Sequence, residues 1–196
     1  MGEKPAIPTA DTLAAAASAA GRKGPPPVHL WNPPFCGDLD IRIARDGTWF
    51  YLGTPIGRAP LVRLFAGILK LEDGRYYLVT PVEKVGIRVD DAPFVAVDFR
   101  VQGAGTPAQA ITFVTNVEDE VTAGPDAPLR VARDPATGEP SPYVMVRRGL
   151  EARIDRKSFY RLVELGEHRL HAGESWFGLR SGGVFFPMIP SADLEG

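Results

Sequence analysis

Arg42, Trp49, Arg58, Glu83, Lys84, Asn116 and Arg153 are the side chains whose types and positions suit recognition of a small charged ligand. Arg42 lies between Ile41 and Ile43, so in a strand it points away from their face. Trp49 follows an Asp46-Gly47 turn, where an indole can stack on a base or cap a core. Arg58 opens a helical stretch after Thr54-Pro55. Glu83 and Lys84 follow the proline that ends an apolar strand, Asn116 closes another strand, and Arg153 sits in a second hairpin beside a helix start. Strand ends and helix starts are where clefts form. Of the 22 basic residues 17 are arginine, the side chain that matches phosphate and carboxylate bidentately. These residues together predict a cleft between two halves of the chain for a small anionic ligand.

Other reactive groups lack the company that catalysis needs. Cys36 is the single cysteine, so no intramolecular disulfide forms, and no histidine is placed to act as its base. His168 and His171 with Glu164 and Glu167 have helical ligand spacing, yet Gly166 and Gly173 make that segment read as a polar loop. Glu118-Asp119-Glu120 reads as a charged turn, without the alternating spacing of a calcium loop. Gly103-Ala104-Gly105 precedes Thr-Pro rather than a helix, so it is no phosphate loop. No metal and no cofactor is expected. An enzyme reading rests on a carboxylate base from Glu83, Asp98 or Asp46.

The elements that must position these groups are mostly short strands. Ile41 and Ile43, Trp49 and Tyr51 alternate about the Asp46-Gly47 turn. Leu61, Val62, Leu64, Phe65, Ile68 and Leu69 recur at helical steps after Pro60, which suits a first turn. Strands are expected at 76–80, 86–90, 94–101, 111–115, 129–132, 143–146, 150–154 and 184–187, and Asp155 caps a helix that carries Phe159, Leu162 and Val163. The order of hairpin, helix and Gly-led aromatic strand occurs twice, with Gly47 matched to Gly149, which predicts an internal duplication. The expected fold is strand-dominated α+β with two structurally similar halves.

Glycine and proline punctuate this plan. Residues 1–34 hold 7 prolines, 3 glycines and 8 alanines. They predict a mobile N-terminal arm, with a short helix over 11–20, and a Pro-rich strap that buries Trp31 and Phe35. Asp11 argues against a secretory leader. Residues 134–142 carry three prolines and a glycine and read as a hinge. The division is therefore 1–34 arm and strap, 35–133 first α+β half and 143–190 second, smaller half. Hydrophobic residues make up 44% of the chain, charged residues 23%, and the net charge is −2. No clustered basic surface suits a nucleic-acid polymer, and no apolar run reaches the roughly 18–20 residues of a membrane span. A cytoplasmic location is expected.

Several runs resemble an uncharacterised bacterial family, domain of unknown function 1285. They are Gly37-Asp38-Leu39-Asp40-Ile41-Arg42-Ile43, Asp46-Gly47-Thr48-Trp49, Pro55-Ile56-Gly57-Arg58, Leu61-Val62-Arg63-Leu64-Phe65, residues 74–84, Thr115-Asn116 and residues 181–187. The resemblance spans about Val28 to Pro187. It implies a duplicated α+β fold whose C-terminal half is like a pleckstrin-homology barrel, a ligand site between the halves for a nucleotide-like ligand, and a signalling role. The functional expectation is a non-enzymatic ligand-binding protein of bacterial signal transduction. A protein-interaction module, acting through a strand edge or as a homodimer, is the alternative, and a small-molecule enzyme the third.

Overall fold

The computed structural model describes residues 8–21 and 25–194. Residues 1–7 and 22–24 of the expected arm lie outside that range. The chain divides into two compact units, one ending at Pro93 and one beginning at Phe94.

In the first unit helix α1 (Ala10–Ala20) is capped by Thr9 and Thr12 in a reciprocal pair, rather than by Asp11. The helix is docked. It packs on the later helix of this unit and buries Ala10, Leu13 and Ala17. A single turn of 3-10 helix (Val28–Leu30) follows. Of the strap, Val28 and Pro33 are buried, whereas Trp31 is half-buried and Phe35 is 47% exposed. The strap is held by its backbone instead: the Trp31 carbonyl accepts Lys70 Nζ and the Pro34 carbonyl accepts the Lys84 N–H.

Then come β1 (Phe35–Ile43), β2 (Trp49–Tyr51), β3 (Thr54–Pro55), α2 (Ala59–Gly67), β4 (Leu69–Glu72), β5 (Arg75–Val79) and β6 (Lys84–Val89). Helix α2 ends before Ile68 and Leu69, whose side chains extend the helical rhythm while β4 begins at Leu69. The sheet order is β3-β2-β1-β6-β5-β4, with β1 and β6 parallel at its centre. Its inner face carries Leu39, Ile41, Ile43, Trp49, Leu78, Val85 and Ile87, all buried. Phe65 of α2 stacks on Trp49 with centroids 6.3 Å apart.

The second unit comprises β7 (Phe94–Gln102), β8 (Ala110–Thr115), β9 (Glu120–Thr122), β10 (Leu129–Arg133), β11 (Pro140–Arg147), β12 (Leu150–Ile154), α3 (Arg156–Val163), β13 (Glu167–His171), β14 (Glu174–Ser181) and β15 (Val184–Pro190). Six of these strands form a sheet in the order β10-β11-β12-β7-β8-β9, and the last three a separate antiparallel sheet. Residues 134–142 are the β10–β11 connection with its flanking strand ends, so this Pro-rich run turns a hairpin inside one sheet. Asp134 closes the turn by accepting the Ala136 and Thr137 N–H groups. The segment holding His168 and His171 is strand β13 rather than a loop, because Gly166 lies between α3 and the strand and Gly173 lies in the turn that leads to β14.

Numbered within each unit, both six-stranded sheets have one order, 3-2-1-6-5-4, with a parallel first–sixth pair and antiparallel pairs elsewhere. The duplication is real, but its register differs from the one expected. β1 corresponds to β7, so the Gly47 turn corresponds to the β7–β8 turn and not to Gly149. Helix α2 lies inside its repeat, whereas α3 follows the second one. The fold is strand-dominated α+β with two similar domains, one of whose sheets forms a half-barrel.

Candidate functional site

The outer face of the first sheet gathers a cluster of acidic and basic side chains. Alternation along β1 puts Leu39, Ile41 and Ile43 inward and Asp38, Asp40 and Arg42 outward. From β6 the outward positions are Lys84, Gly86 and Arg88, and from β5 they are Arg75 and Tyr77. Gly86 sits between Asp38 on β1 and Tyr77 on β5. It carries no side chain, and there a depression of about 320 Å³ opens, lined by Asp38, Asp40, Arg75 and Arg88 over the backbone of Leu39 and Ile87. A Cβ at Gly86 would collide with the Asp38 carboxylate and lie 3.0 Å from the Arg75 guanidinium. The glycine is therefore what lets Asp38 of β1 meet Arg75 of β5 over the intervening strand.

Acids and bases alternate over this face. Asp40 accepts Arg88 at 3.1 Å, Asp90 accepts Arg42 at 2.6 Å and Glu72 accepts Lys84 at 3.0 Å. The Lys84 hydrogen bond, reinforced by the charges of Lys70 and Lys84, holds the Glu72 carboxyl below its usual range despite some desolvation. Aromatic rings flank the basic groups. The Arg75 guanidinium lies 5.4 Å from the Phe35 ring and 5.5 Å from that of Tyr77, and these two rings meet edge to face at 6.1 Å. Lys84 Nζ stands 5.0 Å over Tyr77 and Arg42 stands 4.7 Å over Phe50.

Of the residues expected at a site, Arg42 and Lys84 lie on this face. Trp49 does not: it points inward and is 1% exposed, so its ring is a core side chain with no face for a ligand. Arg58 is exposed at the N-cap of α2. Glu83 shapes the turn into β6, where its N–H donates to Thr80 Oγ1 and its carbonyl accepts the Thr80 N–H; burial pushes its carboxyl upward. In the second unit Asn116 closes the end of β8. Its N–H donates to the Val95 carbonyl and its side-chain oxygen accepts the Val95 N–H. Arg153 stands on β12 opposite Tyr143 and Val95, half-buried.

The arginines of the second unit are also engaged. Arg100 grips Glu120 with two bonds of 2.9 and 2.7 Å, Arg130 grips Glu151, Arg180 grips Glu167, and Arg147 meets Asp119. Arg161 holds Asp98 at 2.6 Å and depresses its carboxyl, helped by the Phe99 N–H. Hydrogen bonds from the Thr48 backbone and side chain lower Asp46. His168 shares a 2.8 Å hydrogen bond with Ser191, and among the described residues no group of three or more His, Cys, Asp or Glu could hold a metal. Among the same residues no helix is long and apolar enough to cross a membrane.

Asp38, Asp40, Arg75 and Arg88 were within the chain's most legible strands, yet residue type alone did not single them out. The available signal is Gly86, a glycine flanked by Val85 and Ile87 inside a strand, which marks a missing side chain on one face.

Comparison with known proteins places the chain. The N-terminal domain model of the family of unknown function DUF1285 matches residues 26–92, and the C-terminal domain model matches residues 93–188. A crystal structure of a DUF1285 family protein from Silicibacter pomeroyi DSS-3 is 64% identical, with a TM-score of 0.84 over 94% of this chain and 98% of that one. One from Shewanella baltica OS155 is 30% identical, with a TM-score of 0.50 over 65% of this chain and 92% of that one. No curated protein shows a significant match. The two domain models meet at 92/93, one residue from the observed division, and together they span most of the chain: this protein belongs to the DUF1285 family.

Proposed function

We propose that this chain is a non-enzymatic small-ligand-binding protein of bacterial signal transduction, and that the ligand's anionic group is taken by Arg75 and Arg88 on the outer face of the first sheet. The observation that carries the reading is the depression at Gly86, where two guanidiniums border about 320 Å³ of open space. That volume suits a small metabolite. Each guanidinium is engaged by one carboxylate, and both pairs are half-exposed, at 48% and 65% for Arg75 and Asp38. Such pairs stabilise a fold by only about 0–1 kcal/mol, so a ligand can exchange with them. The exchange would release Asp38 from its span across β6, a local change suited to signalling.

Thermal denaturation tests this with nucleotides, phosphorylated metabolites, inorganic phosphate and amino acids at millimolar concentration. A ligand at 100 times its Kd adds about 2.7 kcal/mol, which at about 2–4 °C per kcal/mol for a chain of this size raises Tm by about 5–11 °C. Arg75→Gln should abolish the rise. No shift with any of these compounds removes the reading.

A protein-interaction role is favoured by a different feature. Among the described residues strand β13 pairs on one side only, with β14, and its Leu170 is 74% exposed. Light scattering of the wild type against Leu170→Glu checks it: a dimer that becomes monomeric would support this role.

A further inference from the structure

We infer that the ligand of the Gly86 depression is a zwitterion of amino-acid or betaine size, whose carboxylate takes Arg75 and whose cationic group takes Asp38. This rests on the small-ligand reading above and narrows its chemistry. The depression is neutral as lined, with Asp38 and Asp40 matched to Arg75 and Arg88. A plain anion that captured Arg75 would strip Asp38 of its partner and leave two negative groups facing each other, the arrangement that Coulomb repulsion penalises. A phosphate ester adds further negative charge beside Asp40. A plain cation at Asp38 would leave the guanidinium of Arg75 in the mirror situation.

A zwitterion avoids both. Its carboxylate replaces Asp38 on Arg75, its cation replaces Arg75 on Asp38, and every charge keeps an opposite partner. Because Gly86 separates the strands that carry the two residues, opening their contact leaves the acid on β1 and the base on β5 with space between them. Phe35 and Tyr77 border the base, their ring centres 5.4 and 5.5 Å from the Arg75 guanidinium, and hold it beside the opening.

The experiment is titration calorimetry on the full chain with glycine betaine and the common L-α-amino acids. Sodium acetate, methylammonium chloride, inorganic phosphate and adenosine monophosphate serve as single-charge and phosphate controls. At least one zwitterion should bind at least tenfold more tightly than acetate or methylammonium. Asp38→Asn and Arg75→Gln should each weaken it at least tenfold, with circular dichroism unchanged. If Arg75→Gln does not fold, Arg75→Lys takes its place, since it keeps the charge and loses the two-pronged grip on a carboxylate. The Asp38→Asn variant separates the ligand classes by sign: freeing Arg75 tightens a plain anion and loosens a zwitterion. Binding of phosphate or adenosine monophosphate that strengthens in Asp38→Asn overturns the zwitterion and leaves the small-ligand reading standing. Absence of binding by every probe overturns both.

Discussion

Glu72 and Glu83 belong to one unit, yet their carboxyls are moved in opposite directions. Glu83 is raised by burial alone, so its ionised form is disfavoured in the folded chain. A raised acid contributes stability below its unfolded pKa, and that contribution is lost as pH rises through the folded value. Glu83→Gln should therefore be close to neutral at pH 4 and stabilise by a fraction of a kcal/mol at pH 7, read from urea midpoints at the two pH values. If Glu83 were a catalytic base, the same variant would instead abolish a turnover. Glu72, Asp98 and Glu120 are lowered by Lys84, Arg161 and Arg100 respectively, so their contributions exist above the unfolded pKa and fall away in acid. Arg100→Gln should flatten the decline in stability below about pH 4.5, and salt should shrink the difference because the Arg100–Glu120 pair is exposed. Trp49 is the contrasting residue. Packed on Phe65 and fully enclosed, it predicts a loss of about 3–5 kcal/mol for Trp49→Ala in chemical denaturation. Its type and its place after a turn looked equally suited to a ligand, and only its pairing with Ile43 shows that it faces inward.

Elements with alternating side chains and firm turns were legible before the fold was known. β1, β2, β5, β8 and β12 fall where Ile41 and Ile43, Trp49 and Tyr51, Tyr77, Ile111 and Ile154 respectively place them, and Asp155 caps α3 by accepting the Ser158 N–H. β4, β13 and β14 were not. β4 alternates over only four residues, Leu69 to Glu72, and its Leu69 continues the rhythm of α2, while β13 carries Glu167, His168, Arg169 and His171 with one apolar residue and shows no period of two. Gly-rich hairpins hide a second kind of information, since two adjacent glycines can serve different ends. Gly182 has φ +57°, and a Cβ there would stand 2.8 Å from the Ala123 carbonyl oxygen and 3.1 Å from Gly124 Cα. Gly183 has φ +78° with open space around it. The β14–β15 turn is thereby seated on the loop after β9, where Ser181 Oγ accepts the Ile111 N–H and donates to the Ala123 carbonyl. Gly183→Ala should cost about 1 kcal/mol from backbone strain. Gly182→Ala should cost about 1–3 kcal/mol more from overpacking, so its thermal midpoint should fall well below that of its neighbour.

The shared strand order of the two sheets says that one arrangement of two meanders, joined by a parallel central pair, is repeated along the chain. Sequence comparison by motif aligned the two helices and so missed the register, because helices are the part that the repeats do not share. α2 joins the third and fourth strands of the first repeat, while a short loop with a Gly124–Ala127 bridge does so in the second. What each repeat keeps is its own interior. The second has Phe94, Ala96, Phe99, Ile111, Phe113, Val144, Leu150, Ala152 and Ile154 buried within its sheet and adds Leu162, Leu179 and Phe186 from α3 and the three-stranded sheet. A unit with a complete sheet and a contiguous apolar interior meets the physical requirements of a folding domain. Residues 94–196, expressed alone, should therefore unfold in one cooperative thermal transition with an enthalpy of about 60–80 kcal/mol, the value for a domain of roughly 100 residues. A fragment that shows native-like strand content but no such calorimetric peak would mean that the second repeat depends on the first to fix its packing.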